Sequence, residues 1–163
     1  MADNKNIPEL LIDLEDIHPI TRKQAIQSLS NLGDKSIIPE LIKILLNDES
    51  SSVRQAVAQS FQKGLSDKCT VPALIKALKD PDESVRGAAA AALGAIKDKS
   101  AVPYLCAALK DESEHVRWSV IYPLAKIGDK AAIEALKELI SNPEEISNIK
   151  GAAKEALRQL RMS

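Results

Sequence analysis

Side chains able to do chemistry are few in this chain and mostly scattered. It holds two His, two Cys, one Trp, two Tyr and one Phe in 163 residues. Three of them stand together in "HVRWSVIYP", His115 to Pro123. His18 precedes a Pro and His115 a Val, so neither opens a paired ligand motif. Cys69 and Cys106 show no CxxC spacing and no neighbouring His. A metal centre needs several N, O or S ligands that converge. A thiol nucleophile needs a base or a cation beside it. Neither pattern is present, so no catalytic residue, metal or cofactor is expected. What remains is recognition by aromatic side chains, which bury large areas at small entropic cost.

The bulk numbers narrow the setting for that cluster. Twenty-two Lys and Arg against 23 Asp and Glu give a net charge of −1, so no global basic field recruits nucleic acid or an anionic membrane. The apolar runs are too short to span a bilayer, and "MADNKNIPELL" lacks the basic and apolar segments of a secretion signal. Two scattered thiols fit a reducing, cytoplasmic compartment. Apolar residues make up 45% but aromatics only 2%, so Leu, Ile, Val and Ala must build the core. Alternation of strand type is hard to find, and an all-α chain follows.

The helices that must position the cluster are marked by an internal repeat. Basic residues at Arg22, Arg54, Arg86, Arg117 and Lys150 are spaced by 32, 32, 31 and 33 residues. Pro8, Pro39, Pro72 and Pro103 run in parallel, with Glu134 in the fifth place. So do the pairs Asp34-Lys35, Asp67-Lys68, Asp98-Lys99 and Asp129-Lys130. Each unit reads as two helices, the first opening at the proline, where a missing N–H costs nothing. "DPDE" from Asp80, "DESE" from Asp111 and "NPEE" from Asn142 have the form of a capping box opening the second helix. In the third unit Val85, Ala89, Ala92, Leu93 and Ile96 form an apolar stripe. Such pairs bury their stripes only by stacking. The expected architecture is therefore a right-handed α-solenoid of five helix pairs in one domain, at about 7–34, 38–67, 71–98, 102–129 and 133–161. Lys154, Arg158 and Arg161 give the last unit a polar outer face, as an end cap requires.

With "VRGAAAAALGAIKDKSAVPYLCAAL" (Val85 to Leu109) in view, the chain resembles the short HEAT-like repeat of the phycobilisome-lyase type. The resemblance spans nearly the whole chain and is strongest from 39 to 133. The signatures of tetratricopeptide and ankyrin arrays are absent. It implies that Asp16, Asp48, Asp80 and Asp111, each six residues before Arg22, Arg54, Arg86 and Arg117, form a ladder of charge-assisted hydrogen bonds. Asn142 stands eight residues before Lys150, so the last rung is expected to be missing. The related iron hydroxylases carry paired His-Glu ligands that two isolated His cannot supply. The related DNA glycosylases use a basic groove that a net charge of −1 does not favour. Bilin lyases and phycobilisome turnover factors, which handle a linear tetrapyrrole or its carrier protein, remain an alternative.

The resemblance also implies that the second helices line the concave face. There the strips differ. The first offers Lys23, Gln24, Gln27 and Asn31, and the second Gln55, Gln59 and Lys63. The third offers only Gly87, Ala88, Ala91 and Ala95. The fourth offers His115, Trp118, Ser119, Tyr122 and Lys126, and the fifth Gly151, Ala152, Glu155 and Gln159. His115, Trp118 and Tyr122 share one helix face. The expectation is a protein-binding scaffold, monomeric or weakly self-associating, that holds its partner at His115, Trp118, Ser119, Tyr122 and Lys126. Gln55, Gln59, Gly87 and Ala91 complete the site. A competing expectation has Trp118 lying over Gly87 and Ala91 as filler. Pro123 would free the Ser119 carbonyl and kink the helix. Phe61 and Cys106 are read as core, Cys69 as a turn residue and Tyr104 as convex.

Overall fold

The computed structural model describes residues 6–65 and 67–162. Among these, regular structure is helical throughout, with no strand. Five pairs follow one another: α1 (Ile7–Asp13) with α2 (Pro19–Leu32), α3 (Ile38–Asn47) with α4 (Ser51–Lys63), α5 (Val71–Ala77) with α6 (Glu83–Ile96), α7 (Val102–Ala108) with α8 (Glu114–Ile127), and α9 (Ile133–Ser141) with α10 (Ser147–Met162). Pro8, Pro39, Pro72 and Pro103 all lie in the first turn of their helices. The Asp-Lys markers are capping devices. Asp34, Asp67, Asp98 and Asp129 each accept the N–H two residues on, at 2.8 to 3.0 Å, and open a short 3₁₀ turn between pairs.

The second helices α2, α4, α6, α8 and α10 pack side by side in chain order, and this row is tighter than that of the first helices. The interior is aliphatic, with Phe61 fully buried as its one aromatic side chain. Val85, Ala89, Ala92 and Leu93 are buried and Ile96 packs against the core, so the stripe on α6 does what its spacing requires. Lys154, Arg158 and Arg161 are exposed on α10.

The arginine ladder is present, and it joins pair to pair. Arg22 holds the Asp48 carboxylate through Nε and Nη2 at 2.9 and 2.8 Å, while its Nη1 donates to the Asp16 carbonyl at 2.7 Å. Arg54 repeats this on Asp80 at 2.8 and 2.8 Å, and Arg86 on Asp111 at 2.8 and 2.7 Å. Each guanidinium therefore ties its own turn to the carboxylate of the next unit in a two-pronged geometry. These hydrogen bonds, working against burial, raise the pKa of all three guanidiniums.

The capping expectation is corrected here. Asp80 and Asp111 do not cap helices: α6 starts from Asp82 and α8 from Ser113. Asp80 and Asp111 instead accept the N–H of Asp82 and Ser113 at 2.9 Å and spend their remaining acceptor capacity on the arginine. A box with Glu83 or Glu114 cannot form from there. A true capping box occurs elsewhere, between Asn6 and Glu9 at α1. Asn142 and Lys150 form no rung, as their spacing implies: Lys150 Nζ reaches the Pro143 carbonyl at 3.4 Å. Asn142 accepts the Glu144 N–H at 3.1 Å, and Arg117 takes Glu145 at 2.6 and 3.0 Å. The longer turn and the extra methylene of Glu bring a carboxylate to the place that an amide at 142 could not fill.

Candidate functional site

α8 carries the cluster because its buried side, Val116, Val120, Ile121 and Leu124, is locked into the core. Helical spacing then leaves Trp118 and Tyr122 on the other side, 51% and 66% exposed. They form a ridge between two depressions. One, of about 230 Å³, lies over α6 and is lined by Gly87, Ala91, Gly94, Ser119, Pro123, Lys126 and, from α4, Gln62, along with both aromatics. The other, of about 240 Å³, lies toward α10 among Ile121, Ala125, Ala152, Glu155, Ala156 and Gln159, again with both aromatics. Lys126 Nζ sits 5.9 Å from the Tyr122 ring centroid, at the outer limit of a cation–π contact.

Trp118 is thus not filler. The side chains that cover Gly87 are His115 and Ser119: a Cβ there would lie 3.1 Å from His115 Nε2 and 3.2 Å from Ser119 Oγ. Gly87 is buried as a result, while Ala88, Ala91 and Ala95 are half-buried. His115 itself is exposed. Of the glutamines singled out from sequence, Gln59 lines a narrow groove between α2 and α4, and Gln55 lies half-buried on α4. Neither lines the hollow beside the aromatics, which takes Gln62 instead. That residue sat outside the strip read from the repeat frame.

Sequence reasoning also missed Gly94. A Cβ at Gly94 would lie 2.7 Å from Pro123 Cα and 2.8 Å from its Cβ, so only glycine admits this approach. Pro123 is buried and stays within α8, which runs unbroken to Ile127. The Gly94–Pro123 contact is what brings the aromatic helix against α6.

Among the described residues no cluster of three or more His, Cys, Asp or Glu could hold a metal ion. Burial raises the Cys106 thiol pKa, with Asp129 adding to it. Cys69, exposed in its 3₁₀ turn, is also held up, by desolvation and by its hydrogen bond to Asp67. Both thiols are therefore poorer nucleophiles than a free cysteine. A third depression of about 400 Å³ opens among Cys106, Lys110, Arg117, Glu138, Glu144 and Glu145, and in it Lys110 pairs with Glu138 at 2.8 Å and Arg117 with Glu145. Among the described residues no helix is long and apolar enough to cross a membrane.

Stacked helix pairs tied by an arginine ladder define an α-solenoid of the HEAT kind. The profile of HEAT repeats matches residues 7–63 and 71–158, and the chain belongs to that family. No curated protein matches it in sequence. Among solved structures it is similar to the complex of CpcE and CpcF of phycocyanin lyase from Nostoc sp. PCC7120, at a TM-score of 0.82 and 25% identity, covering 100% of this chain and 69% of that one. This accords with the phycobilisome-lyase type of repeat. A designed armadillo repeat protein in complex with the peptide (KR)4 follows at 0.69 and 20%, covering 94% and 81%. Human deoxyhypusine hydroxylase in complex with glycerol gives 0.66 and 18%, covering 96% and 74%. The last two likenesses speak for the fold alone.

Proposed function

We propose that the chain is a non-catalytic scaffold that binds a protein partner on the concave face of its solenoid, within the cytoplasm and as a monomer that self-associates at most weakly. The observation that carries this reading is the ridge of Trp118 and Tyr122, half-exposed or more, between two hollows. Aromatic side chains beside shallow depressions are the usual anchors of an interface. The tight packing of the second-helix row supports its being the inner, concave row, because the inner side of a curved stack is the more crowded. His115, Ser119, Lys126, Gly87 and Ala91 frame the contact, with Gln55 and Gln59 at its edge. Exposed Ile12, Ile17 and Ile20 at the first pair support weak self-association.

A second reading rests on the likeness to the phycocyanin lyase complex: that the chain handles a linear tetrapyrrole or its carrier. One set of measurements separates them. Trp118 is the sole Trp, so its emission reports one position. Red-shifted emission, readily quenched by iodide, is expected of the free protein. Trp118→Ala with Tyr122→Ala should remove captured partners, a loss of about 2 kcal/mol or more for two anchors, with helix content unchanged. Full-strength capture by that double variant would overturn the scaffold reading. A change in visible absorbance on mixing with a linear tetrapyrrole would support the lyase-like one.

A further inference from the structure

The second-helix row carries a charge bias that the overall balance of −1 conceals. Its four ladder arginines are neutralised by Asp48, Asp80, Asp111 and Glu145 from the following turns. After that cancellation α2 keeps Lys23 and α4 keeps Lys63, and neither helix contains an Asp or Glu. α8 keeps Lys126 in its last turn, with its one acid, Glu114, at the opposite end. Lys23, Lys63 and Lys126 are exposed and make no ion pair among the described residues.

These lysines lie along one path. Lys126 stands at the rim of the hollow that holds Trp118, Tyr122 and, from across α6, Gln62. Lys63 and Lys23 flank the next groove, between α4 and α2. Between them α6 presents the half-buried Ala91 and Ala95, its one acid, Glu83, standing at the opposite end of the helix, so nothing bulky interrupts the way from the aromatic ridge to the cations. Three helix spacings of about 9 Å separate α8 from α2, and Lys23 lies about 12 Å nearer the helix N-termini than Lys126, so the path is roughly 30 Å, which an extended peptide covers in about nine residues.

We infer that the partner segment is an acidic, extended peptide whose one large apolar side chain enters the hollow beside Trp118 and Tyr122 while its carboxylates meet Lys126, Lys63 and Lys23. This rests on the aromatic face being the binding site. The chemistry favours a peptide over another polyanion. The hollow toward α10 has aliphatic walls, at Ile121, Ala125 and Ala156, which suit a Leu or Phe side chain, while the one over α6 has an apolar floor at Ala91 and Pro123 and a polar rim at Gln62, Ser119 and Lys126. Three lysines spread over three helices match a few spaced carboxylates, whereas a nucleic-acid backbone demands a denser row of cations. The amides of Gln59 and Gln62 can both donate to and accept from a peptide main chain. Complementary charge of this kind sets specificity and encounter rate more than raw affinity.

The test titrates the full chain with three synthetic peptides that share a central Leu-Phe and are flanked by Glu, by Ser or by Lys, with oligothymidylate as a fourth probe. Binding is read by Trp118 emission, and for variants by calorimetry. The Glu-flanked peptide should bind tightest and weaken as salt rises. Each exposed ion pair contributes a factor of about two to five, so Lys23→Gln with Lys63→Gln, both outside the hollow, should weaken it about four- to twenty-five-fold. The same pair should leave the Ser-flanked peptide untouched. Equal affinity for Glu and Ser flanks, preference for Lys flanks, parity with oligothymidylate, or no binding by any peptide would each overturn the acidic partner. In the first of these cases a loss with Tyr122→Ala keeps the aromatic site standing. Tight binding of the Glu-flanked peptide that Tyr122→Ala leaves unchanged would instead sink the site, and the inference with it.

Discussion

Three glycines in second helices give a graded test of how α8 is held. Exchanging Gly for Ala inside a helix ordinarily stabilises it by about 1 kcal/mol. At Gly151 on α10 an added Cβ meets nothing within 4 Å, so Gly151→Ala should show that gain in full. At Gly87 the Cβ meets the ends of His115 and Ser119 at 3.1 and 3.2 Å, side chains on an exposed surface that can swing aside. Gly87→Ala should therefore be close to neutral. At Gly94 the obstacle is Pro123 Cα at 2.7 Å, a backbone atom inside a packed helix. An ordinary carbon contact is about 3.5–4.0 Å, so α6 and α8 must part by roughly 1 Å. Overpacking of a well-filled interior costs about 1–3 kcal/mol, and a rigid obstacle belongs at the upper end. Offset by the helical gain, Gly94→Ala should lose about 2 kcal/mol. For a chain of this size that lowers Tm by about 4–8 °C. Thermal unfolding followed by circular dichroism reads all three. Because Gly94 lines the hollow beside Trp118, its variant should also shift the Trp118 emission, while Gly151→Ala should not. A Gly94→Ala protein as stable as Gly151→Ala would refute the claim that the Gly94–Pro123 approach fixes α8.

Removing Arg86 leaves the Asp111 carboxylate with only the Ser113 N–H and takes the guanidinium donor from the Asp80 and Pro81 carbonyls. Arg86→Leu should cost about 3 kcal/mol in urea unfolding, and an unchanged midpoint would deny the ladder a structural role. Acid should loosen the stack where Glu145 and Asp111 hold it. The Arg117 hydrogen bond is the chief cause, against burial, of a Glu145 pKa below the ordinary 4.5. For Asp111, burial alone would raise the pKa, but Arg86 and the Ser113 N–H together hold it below 3.8. A depressed carboxylate stabilises the fold fully above its unfolded pKa and loses that contribution as pH falls through its folded value. Stability should therefore hold above about pH 4.5 and decline below it. Glu145→Gln should be less stable at neutral pH and fall less steeply in acid, as measured by urea midpoints across the range.

The repeat made the architecture legible. Proline, the Asp-Lys pair and the Arg series act within a few residues of themselves, through a missing N–H, a side-chain cap and a fixed offset, so a one-dimensional record carries them. The aromatic cluster was legible for the same reason: three residues at helical spacing share a face whatever surrounds them. The capping boxes misled because the local pattern at Asp80 and Asp111 is real, but each carboxylate is claimed by an arginine from the preceding unit. Glu145 as the last rung, Gln62 in the hollow and the closeness of Gly94 to Pro123 all depend on side chains from different helix pairs meeting. Sequence alone determined which helices form and which face of α8 is polar and aromatic, because helical geometry is local. Only the tertiary structure decided that Trp118 stands free while His115 and Ser119 cover Gly87, since that outcome turns on distances of an ångström between helices far apart in the chain.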